Sequence, residues 1–259
     1  MCKFMCVSAQ FCEDHLMFLF KLLETSTNPI IRSNIVIALG DIAVCFSTLM
    51  DQNSDRLYAG LTDRDMTVKK NTLMVLTHLI LNGMIKVKGQ LGEMAKCLED
   101  DDNRISDLAK LFFEELSTKE NAIYNNLPDI ISHLSVGKHA VDEETYQKIM
   151  KYIFRYIEKV SVCFGLRLLH ISLLTTYFSG MQEKQAESIA DKLCQRFRVV
   201  TDERQWRDIA FCMSMLPFKS ERSVKKLVDG LPFYQDKLKE DVVYRLFTEI
   251  LNKVSQPLP

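Results

Sequence analysis

The sequence predicts an all-α chain built as a HEAT-type α-solenoid, with antiparallel helix pairs stacked side by side. Three observations carry this expectation. Apolar residues recur at helical spacing, they repeat with a 37-residue period, and Gly (9) and Pro (6) are too scarce for many tight turns. Segments that alternate apolar and polar residues, the mark of a half-buried strand, are hard to find.

The period appears as four apolar columns in register over three copies. Ile31, Val68 and Ile105 form one column, and Ala38, Val75 and Phe112 a second. Leu39, Leu76 and Phe113 form a third, and Ile42, Leu79 and Leu116 a fourth. Within each copy the i, i+4, i+7, i+8, i+11 spacing places these residues on one helical face. The first copy reads Ile31, Ile35, Ala38, Leu39, Ile42, Phe46, and the third Ile105, Leu108, Ala109, Phe112, Phe113, Leu116. A turn precedes each helix: Thr27-Asn28-Pro29, Thr62-Asp63-Arg64-Asp65 and Asp100-Asp101-Asp102-Asn103. Asn, Asp and Thr start helices because their side chains accept from the free first-turn amides. Before each turn a shorter apolar segment predicts the partner helix: Leu16–Leu23, Leu57–Leu61 and Leu91–Leu98. One such pair cannot bury its own apolar face, so pairs must stack.

The remaining elements are predicted in order. Leu127–Leu134 is a helix, Ser135-Val136-Gly137-Lys138 a break, and Val141–Lys159 a helix with Tyr146, Ile149, Met150, Ile153, Phe154 and Ile157 inward. Further helices are expected over Ala186–Arg198, Glu203–Met215, Arg222–Asp229 and Lys239–Val254. Asp202 three residues before Gln205 suggests a capping box. Organisation follows as HEAT-type repeats over 1–135, about three and a half of them, and C-terminal helical repeats over 136–259.

Charge and motifs narrow the function classes. The formal net charge of −1 gives no chain-wide pull toward nucleic acid, so any DNA contact must be local. The eight cysteines are scattered without a C-x-x-C pair, which argues for small apolar roles in a reducing compartment and against zinc. Phosphate-loop, dinucleotide, zinc-protease and nucleophile-elbow motifs are missing. His15, His78, His133, His139 and His170 are far apart in sequence and lack a partnered acid or Cys pattern. The acidic turn Glu99–Asp102 lacks the calcium-loop ligand spacing and reads as an inter-helix turn with caps. No catalytic residue, cofactor, metal or small-molecule substrate is therefore expected.

Two segments carry a family likeness: Thr77-His78-Leu79-Ile80-Leu81-Asn82-Gly83-Met84-Ile85-Lys86-Val87-Lys88-Gly89-Gln90 and Asn121-Ala122-Ile123-Tyr124-Asn125-Asn126-Leu127-Pro128-Asp129-Ile130-Ile131-Ser132. Lys3–Ser8 and Lys192–Arg198 support them. The chain resembles the C-terminal HEAT region of the D-type regulatory subunits of condensin. The resemblance implies a non-enzymatic scaffold that docks on kleisin, contacts an SMC ATPase head and helps hold DNA during mitotic chromosome condensation. It also implies DNA or histones as further contacts, and a place in the nucleus and on mitotic chromosomes with a cytoplasmic pool. Family subunits are far longer, so the likeness covers a late portion, without the basic tail.

Candidate contacts follow. Lys86, Lys88 and Gly89 sit in a loop between two helices, where repeat proteins present partner-binding edges. They are expected to touch the SMC head or a phosphate. Lys69 and Lys70 beside the second turn, and Lys219, Arg222, Lys225 and Lys226 further on, are candidate DNA-backbone contacts, which need only local positive charge. Trp206 with Phe211 and Met215 reads as core rather than as a base-stacking platform. A second reading is a transport adaptor of the karyopherin or coat-adaptor kind. An enzyme is the third and least supported.

The block at 160–182 departs from the family pattern. Without it, Ile157-Glu158-Lys159 runs directly into Glu183-Lys184-Gln185-Ala186 and a family-like sequence returns. Val-Ser is encodable by a splice-donor sequence and Gln by the acceptor end CAG. A membrane segment is the competing reading, but the apolar run Val162–Phe178 has only 17 residues and contains Arg167 and His170. A spanning helix needs about 20 apolar residues, and a central Arg costs at least about 2.5 kcal/mol. A helix that packs on the solenoid is a third reading. If the block is a retained intron, transcript reads will join the codon of Lys159 to that of Glu183. Genomic DNA without usable splice sites at both ends would rule this out.

Overall fold

The computed structural model describes the backbone of all residues except 86–89, 120–121, 167–171, 217, 219–220 and 256–259. It describes the side chains of all these residues except 157–185, 221, 223 and 254–255. Among the described residues every regular element is helical, as the fold class requires. The chain forms two compact units, Met1–Leu116 and Ser117–Pro259.

The first unit begins with a short helix, α1 (Cys2–Met5), followed by α2 (Ala9–Thr25) and α3 (Pro29–Cys45). Two short helices follow, α4 (Ser47–Asp51) and α5 (Ser54–Tyr58), the latter continued by a 3₁₀ turn over Ala59–Thr62. Next come α6 (Met66–Leu81), α7 (Leu91–Lys96) with a 3₁₀ turn over Cys97–Glu99, and α8 (Asn103–Ser117). The pairs are α2/α3, α5/α6 and α7/α8, in register with the 37-residue columns.

The columns are the core. Leu39, Leu76 and Phe113 are each 0% exposed, and Ile42, Leu79 and Leu116 are buried beside them. Burying one such side chain stabilises by about 1.5–3 kcal/mol. Ile31 departs from its column. It is 45% exposed, whereas Val68 and Ile105 are buried. Ile30, Ile37 and Val44 of the same helix are exposed as well, so α3 is apolar around most of its circumference. Burial at its start depends on a stacked neighbour, which a column on one helix does not provide. Ala38 and Val75 are half-buried, and Val75 lines the open α3/α6 crossing beside Gly40. A Cβ on Gly40 would lie 2.8 Å from Val75 Cγ1, so glycine is what permits the approach.

Polar columns run beside the apolar ones with the same period. Positions 26, 63 and 100 accept from the amide two residues on: Ser26 Oγ from Asn28 at 3.3 Å, Asp63 from Asp65 at 2.8 Å and Asp100 from Asp102 at 3.0 Å. Positions 28, 65 and 102 then cap the helices. Asn28 accepts from Ile30 at 2.9 Å, Asp65 from Thr67 at 2.9 Å and Asp102 from Arg104 at 2.8 Å. A third column joins one repeat to the next. The Arg32 guanidinium grips both oxygens of Asp63 at 2.8 Å, and Lys69 Nζ lies 2.6 Å from Asp100. In the third copy the position is Ser106, whose hydroxyl donates to Leu98 O at 2.8 Å.

The second unit contains α9 (Ala122–Ser135), α10 (Glu143–Leu166), α11 (Ser172–Val199), α12 (Glu203–Ser214), α13 (Glu221–Tyr234) and α14 (Asp241–Ser255). Helices α10, α12 and α14 contact one another in series, and α11 packs on α13. Tyr146, Ile149, Met150, Ile153 and Phe154 are buried as expected, whereas the side chain of Ile157 lies outside the described residues. Gly137 takes φ +79, which an L side chain rarely adopts, and makes the predicted break. Gly230 brings α13 against Cys194 of α11. Phe197, Tyr234 and Phe247 tie α11, α13 and α14 through ring contacts of 5.8, 6.1 and 4.3 Å. The block at 160–182 falls at the end of α10 and the start of α11, and its side chains lie outside the described residues. Among the described residues no helix is long and apolar enough to cross a membrane.

The Arg32–Asp63 pair generates a pH prediction. Burial alone would push the Asp63 carboxyl up, but the Arg32 guanidinium and the Asp65 amide outweigh it and hold it below its usual value. The unfolded carboxyl titrates near ~3.9. The stabilisation is therefore complete above about pH 4 and is lost as pH falls through the lower folded value. Asp63→Ala should cost about 1.5–3 kcal/mol near neutrality, because Arg32 loses a charged partner in a half-buried place. Urea unfolding from pH 7 to pH 3 should show the gap to the parent chain closing in acid. A gap that does not change with pH would reject this role.

Candidate partner and nucleic-acid interface

The basic residues singled out from the sequence fall into different settings. Lys69 stands in the first turn of α6, capped by Asp65, and its side chain is only 18% exposed. Its charge is used inside the fold, on Asp100. Lys70, one residue on, projects from another part of the helix and is exposed. Arg222 and Lys225 on α13 are exposed and Lys226 is half-buried, since Leu227 and Gly230 of that helix face α11. Asp229 is exposed one turn beyond them. Lys86, Lys88, Gly89 and Lys219 lie outside the described residues.

The acidic turn is built from caps. Asp100 holds Lys69 and the Asp102 amide, while Asp102 holds the Arg104 amide and guanidinium. The Arg104 side chain and amide hold the Asp102 carboxyl down at about 2. Both carboxylates therefore serve helix α8 and the inter-repeat joint.

A polar cluster in the second unit is buried among α10, α12 and the segment before α10. The Tyr146 hydroxyl lies 3.1 Å from Cys212 Sγ and 3.4 Å from Asp208 O. The Asp208 side chain is 1% exposed and accepts from Arg204 Nε at 3.0 Å, while Arg204 Nη2 donates to Val141 O at 3.0 Å. Burial pushes Asp208 up against the pull of Arg204, and it pushes the Tyr146 hydroxyl and the Cys212 thiol up too. Arg207 spans Glu143 at 3.3 Å and Glu240 at 3.7 Å. Buried charge that is paired in this way positions helices. Its sequence signal is the Arg204–Asp208 spacing of four on one helix face, which by itself does not separate a buried pair from a surface one.

Other side chains resolve without chemistry. Trp206 is half-buried and donates to Val200 O at 3.0 Å, with Phe211 and Met215 half-buried nearby in the chain. Asp202 caps Arg204 at 3.3 Å. His133 and His139, distant in the sequence reading, stack at 4.8 Å because the Gly137 turn folds the chain back. Cys12, Cys97, Cys194 and Cys212 are buried, and burial pushes Cys97 and Cys194 up to about 12. Such thiols are weak nucleophiles at neutral pH.

Sequence reasoning missed a groove between α3 and α6. Its walls are Ile37 and Val44 on one side and Met74 and His78 on the other, with Gly40 and Val75 at the crossing. His78 accompanies Asn82, whose Nδ2 is 3.2 Å from His78 Nδ1. The signal was available as apolar residues on the face of α3 opposite the core columns.

Comparison with known proteins completes the description. Residues 30–163, just over half of the chain, match the family model for the non-SMC mitotic condensation complex subunit 1. Condensin complex subunit 1 of Xenopus laevis is 45% identical over 252 residues, which are 97% of this chain and 17% of the relative. The Homo sapiens protein of that name is 44% identical over 97% of this chain and 16% of its own length. That of Saccharomyces cerevisiae is 42% identical over 88% of this chain and 17% of its own. The chain thus spans about one sixth of the length of the curated relatives it matches. Among solved structures, a designed armadillo repeat protein aligns with 92% of this chain and 98% of its own at 12% identity and a TM-score of 0.36. A match over more than half of the chain, with identity above 40% across nearly all of it, places this chain in the family of the non-SMC mitotic condensation complex subunit 1.

Proposed function

We propose that this chain is a non-enzymatic HEAT-repeat scaffold segment of a condensin subunit, acting in mitotic chromosome condensation by docking to the kleisin and SMC subunits. The observation that carries the reading is the likeness to condensin complex subunit 1 over nearly the whole chain. The use of titratable groups agrees with it. Arg32 with Asp63 and Lys69 with Asp100 tie one repeat to the next, and Arg204 of α12 holds both Asp208 and the Val141 carbonyl before α10, as a scaffold requires. The chromosome and the nucleus are its proposed place, with a cytoplasmic pool besides.

The contacts are assigned on the same basis. The segment Lys86, Lys88 and Gly89 joins α6 to α7 and is proposed to meet the SMC head. DNA contact is best supported for Arg222 and Lys225, whose charges are exposed on α13, with Lys219 and Lys226 beside them in sequence. Lys70 is the exposed candidate of the first unit, and Lys69 is bound to Asp100. Histones are the alternative chromatin contact.

Affinity purification of the tagged chain from dividing cells should recover kleisin and SMC subunits. Recovery of a Ran-type GTPase or transport cargo in their place would favour an adaptor and defeat the proposal. Lys86→Glu with Lys88→Glu should reduce the SMC subunit in that material and leave the kleisin. Arg222→Ala with Lys225→Ala should weaken binding to a duplex oligonucleotide and flatten its salt dependence by about two phosphate contacts. Lys69→Ala should leave DNA binding unchanged and lower the thermal midpoint, because Asp100 loses its partner.

A further inference from the structure

The cysteines are scattered in the sequence, yet the first unit gathers Cys6, Cys12 and Cys45 where α3 ends. Cys45 is the last residue of α3 and is exposed. Cys6 follows α1 directly and is half-buried. Cys12 faces inward from α2 and is 0% exposed. The helices bring them together, because α1 packs on both α2 and α3 and is pinned there by Met5, its buried residue. The Cys6 and Cys45 thiols hydrogen-bond to each other, and Asp41 stands one turn before Cys45 on α3.

Two thiols in contact can do what a single buried cysteine cannot. Access and contact decide the order of events. Cys45 is the thiol that a small oxidant reaches first. Cys6 is the thiol in hydrogen-bond contact with it, whereas Cys12 is sealed in the core and feels Cys45 through its charge. Burial, then the Cys45 thiol and the Asp41 carboxylate, push the Cys6 thiol up. A thiol of that kind is a weak nucleophile and also a poor leaving group. The first property keeps Cys6 from competing for the oxidant. The second makes a disulfide through Cys6 slow to be cleaved there. Proximity supplies what the low thiolate fraction lacks once Cys45 has reacted.

We propose that Cys6 and Cys45 are a reversible redox pair, joined by a hydroperoxide into a disulfide that fastens the α1 segment to the end of α3. The Cys45 sulfur attacks one peroxide oxygen and the O–O bond breaks. The other oxygen leaves as an alcohol, or as water from hydrogen peroxide, with the Cys45 proton. Cys45 is then a sulfenic acid. The Cys6 sulfur attacks the Cys45 sulfur, the S–O bond breaks, and the hydroxyl leaves as water with the Cys6 proton. The two sulfurs lose two electrons and the peroxide bond gains them. A dithiol reductant reverses the change by thiol–disulfide exchange and is itself oxidised. In a reducing compartment such bonds are transient and serve as sensors. The bond closes a loop that contains all of α2 and α3, and α1, with four residues, is too short to hold its place without tertiary contacts.

Peptide mapping of the purified 259-residue chain tests this. The chain is treated with hydrogen peroxide at neutral pH, free thiols are blocked with N-ethylmaleimide, and the chain is cut with trypsin. The expected product links the peptide Phe4–Lys21 to the peptide Ser33–Arg56, with fragment ions placing the bond at Cys6 and leaving Cys12 blocked. Cys6→Ser should remove the link and Cys12→Ala should keep it. If Cys12→Ala does not fold, the fragment ions of the parent decide between Cys6 and Cys12. Amide exchange over residues 2–8 should slow about ten-fold on oxidation, recover with dithiothreitol, and ignore peroxide in Cys6→Ser. Absence of the link, a Cys12–Cys45 bond or a Cys45–Cys45 dimer overturns the proposal. So does Cys45 oxidised beyond the sulfenic acid while Cys6 stays free, or a Cys6–Cys45 bond that leaves exchange over residues 2–8 unchanged.

Discussion

Stacking is enforced by a simple shortage of surface: a helix pair has two apolar stripes and only one partner helix to cover them. Leu39, Leu76 and Phe113 are fully buried, and α3 and α6 of neighbouring pairs pack directly on each other. The energy comes from this burial, about 1.5–3 kcal/mol for each large side chain. Burial has no direction, however, and an apolar stripe could slide along its neighbour at little cost. The polar columns remove that freedom. Arg32 to Asp63 and Lys69 to Asp100 each reach from one repeat into the turn of the next, and both carboxylates also hold an amide of their own turn. A slip by one helical turn would strand a half-buried charge on each side. The ion pairs are modest in energy and decisive in register.

Glycines set how close the layers come. Gly40 opposite Val75 and Gly230 opposite Cys194 let α3 and α6, and α11 and α13, approach until backbone meets side chain. Elsewhere the aromatic residues hold the spacing, as with Phe197, Tyr234 and Phe247 in the second unit. Small residues at crossings and large ones between them give interdigitation without strain. The buried Tyr146–Cys212–Asp208–Arg204 cluster is the polar counterpart. Its partners come from α10, α12 and the chain before α10, so each satisfies a group that another helix would otherwise leave bare.

The period, the caps and the core faces were legible in the sequence because each depends on residues within one repeat. Asn28, Asp65 and Asp102 cap α3, α6 and α8 at the spacing that the apolar columns already imply. Helix ends near proline were not legible. Leu127-Pro128 looks like a helix start, since proline suits the first turn, yet α9 begins at Ala122 and carries Pro128 inside it. Likewise α13 continues past Asp229 through Pro232 to Tyr234, where Phe197 and Phe247 hold it. In both, tertiary packing outweighs a local propensity. Exposure was illegible for the same reason. Ile31 and Val68 share a column, and only a neighbouring layer makes one exposed and the other buried. Lys69 and Lys70 are adjacent lysines in the sequence, and only the partner turn shows that Asp100 has taken the first.

That last distinction matters for reading function from a repeat protein. A residue in register with the joints, such as Lys69, is spent on architecture however basic it is. A residue in register but turned away from both the core and the joints has no architectural task in its own unit. Ile37, Met74 and Leu111 meet that description. Solvation alone would favour polar side chains at such positions, as it does at Asp41, His78 and Glu115 in the adjacent column. The period that builds the core thus also sorts the surface. It lays an exposed apolar column, Ile37, Met74 and Leu111, beside a polar one, Asp41, His78 and Glu115.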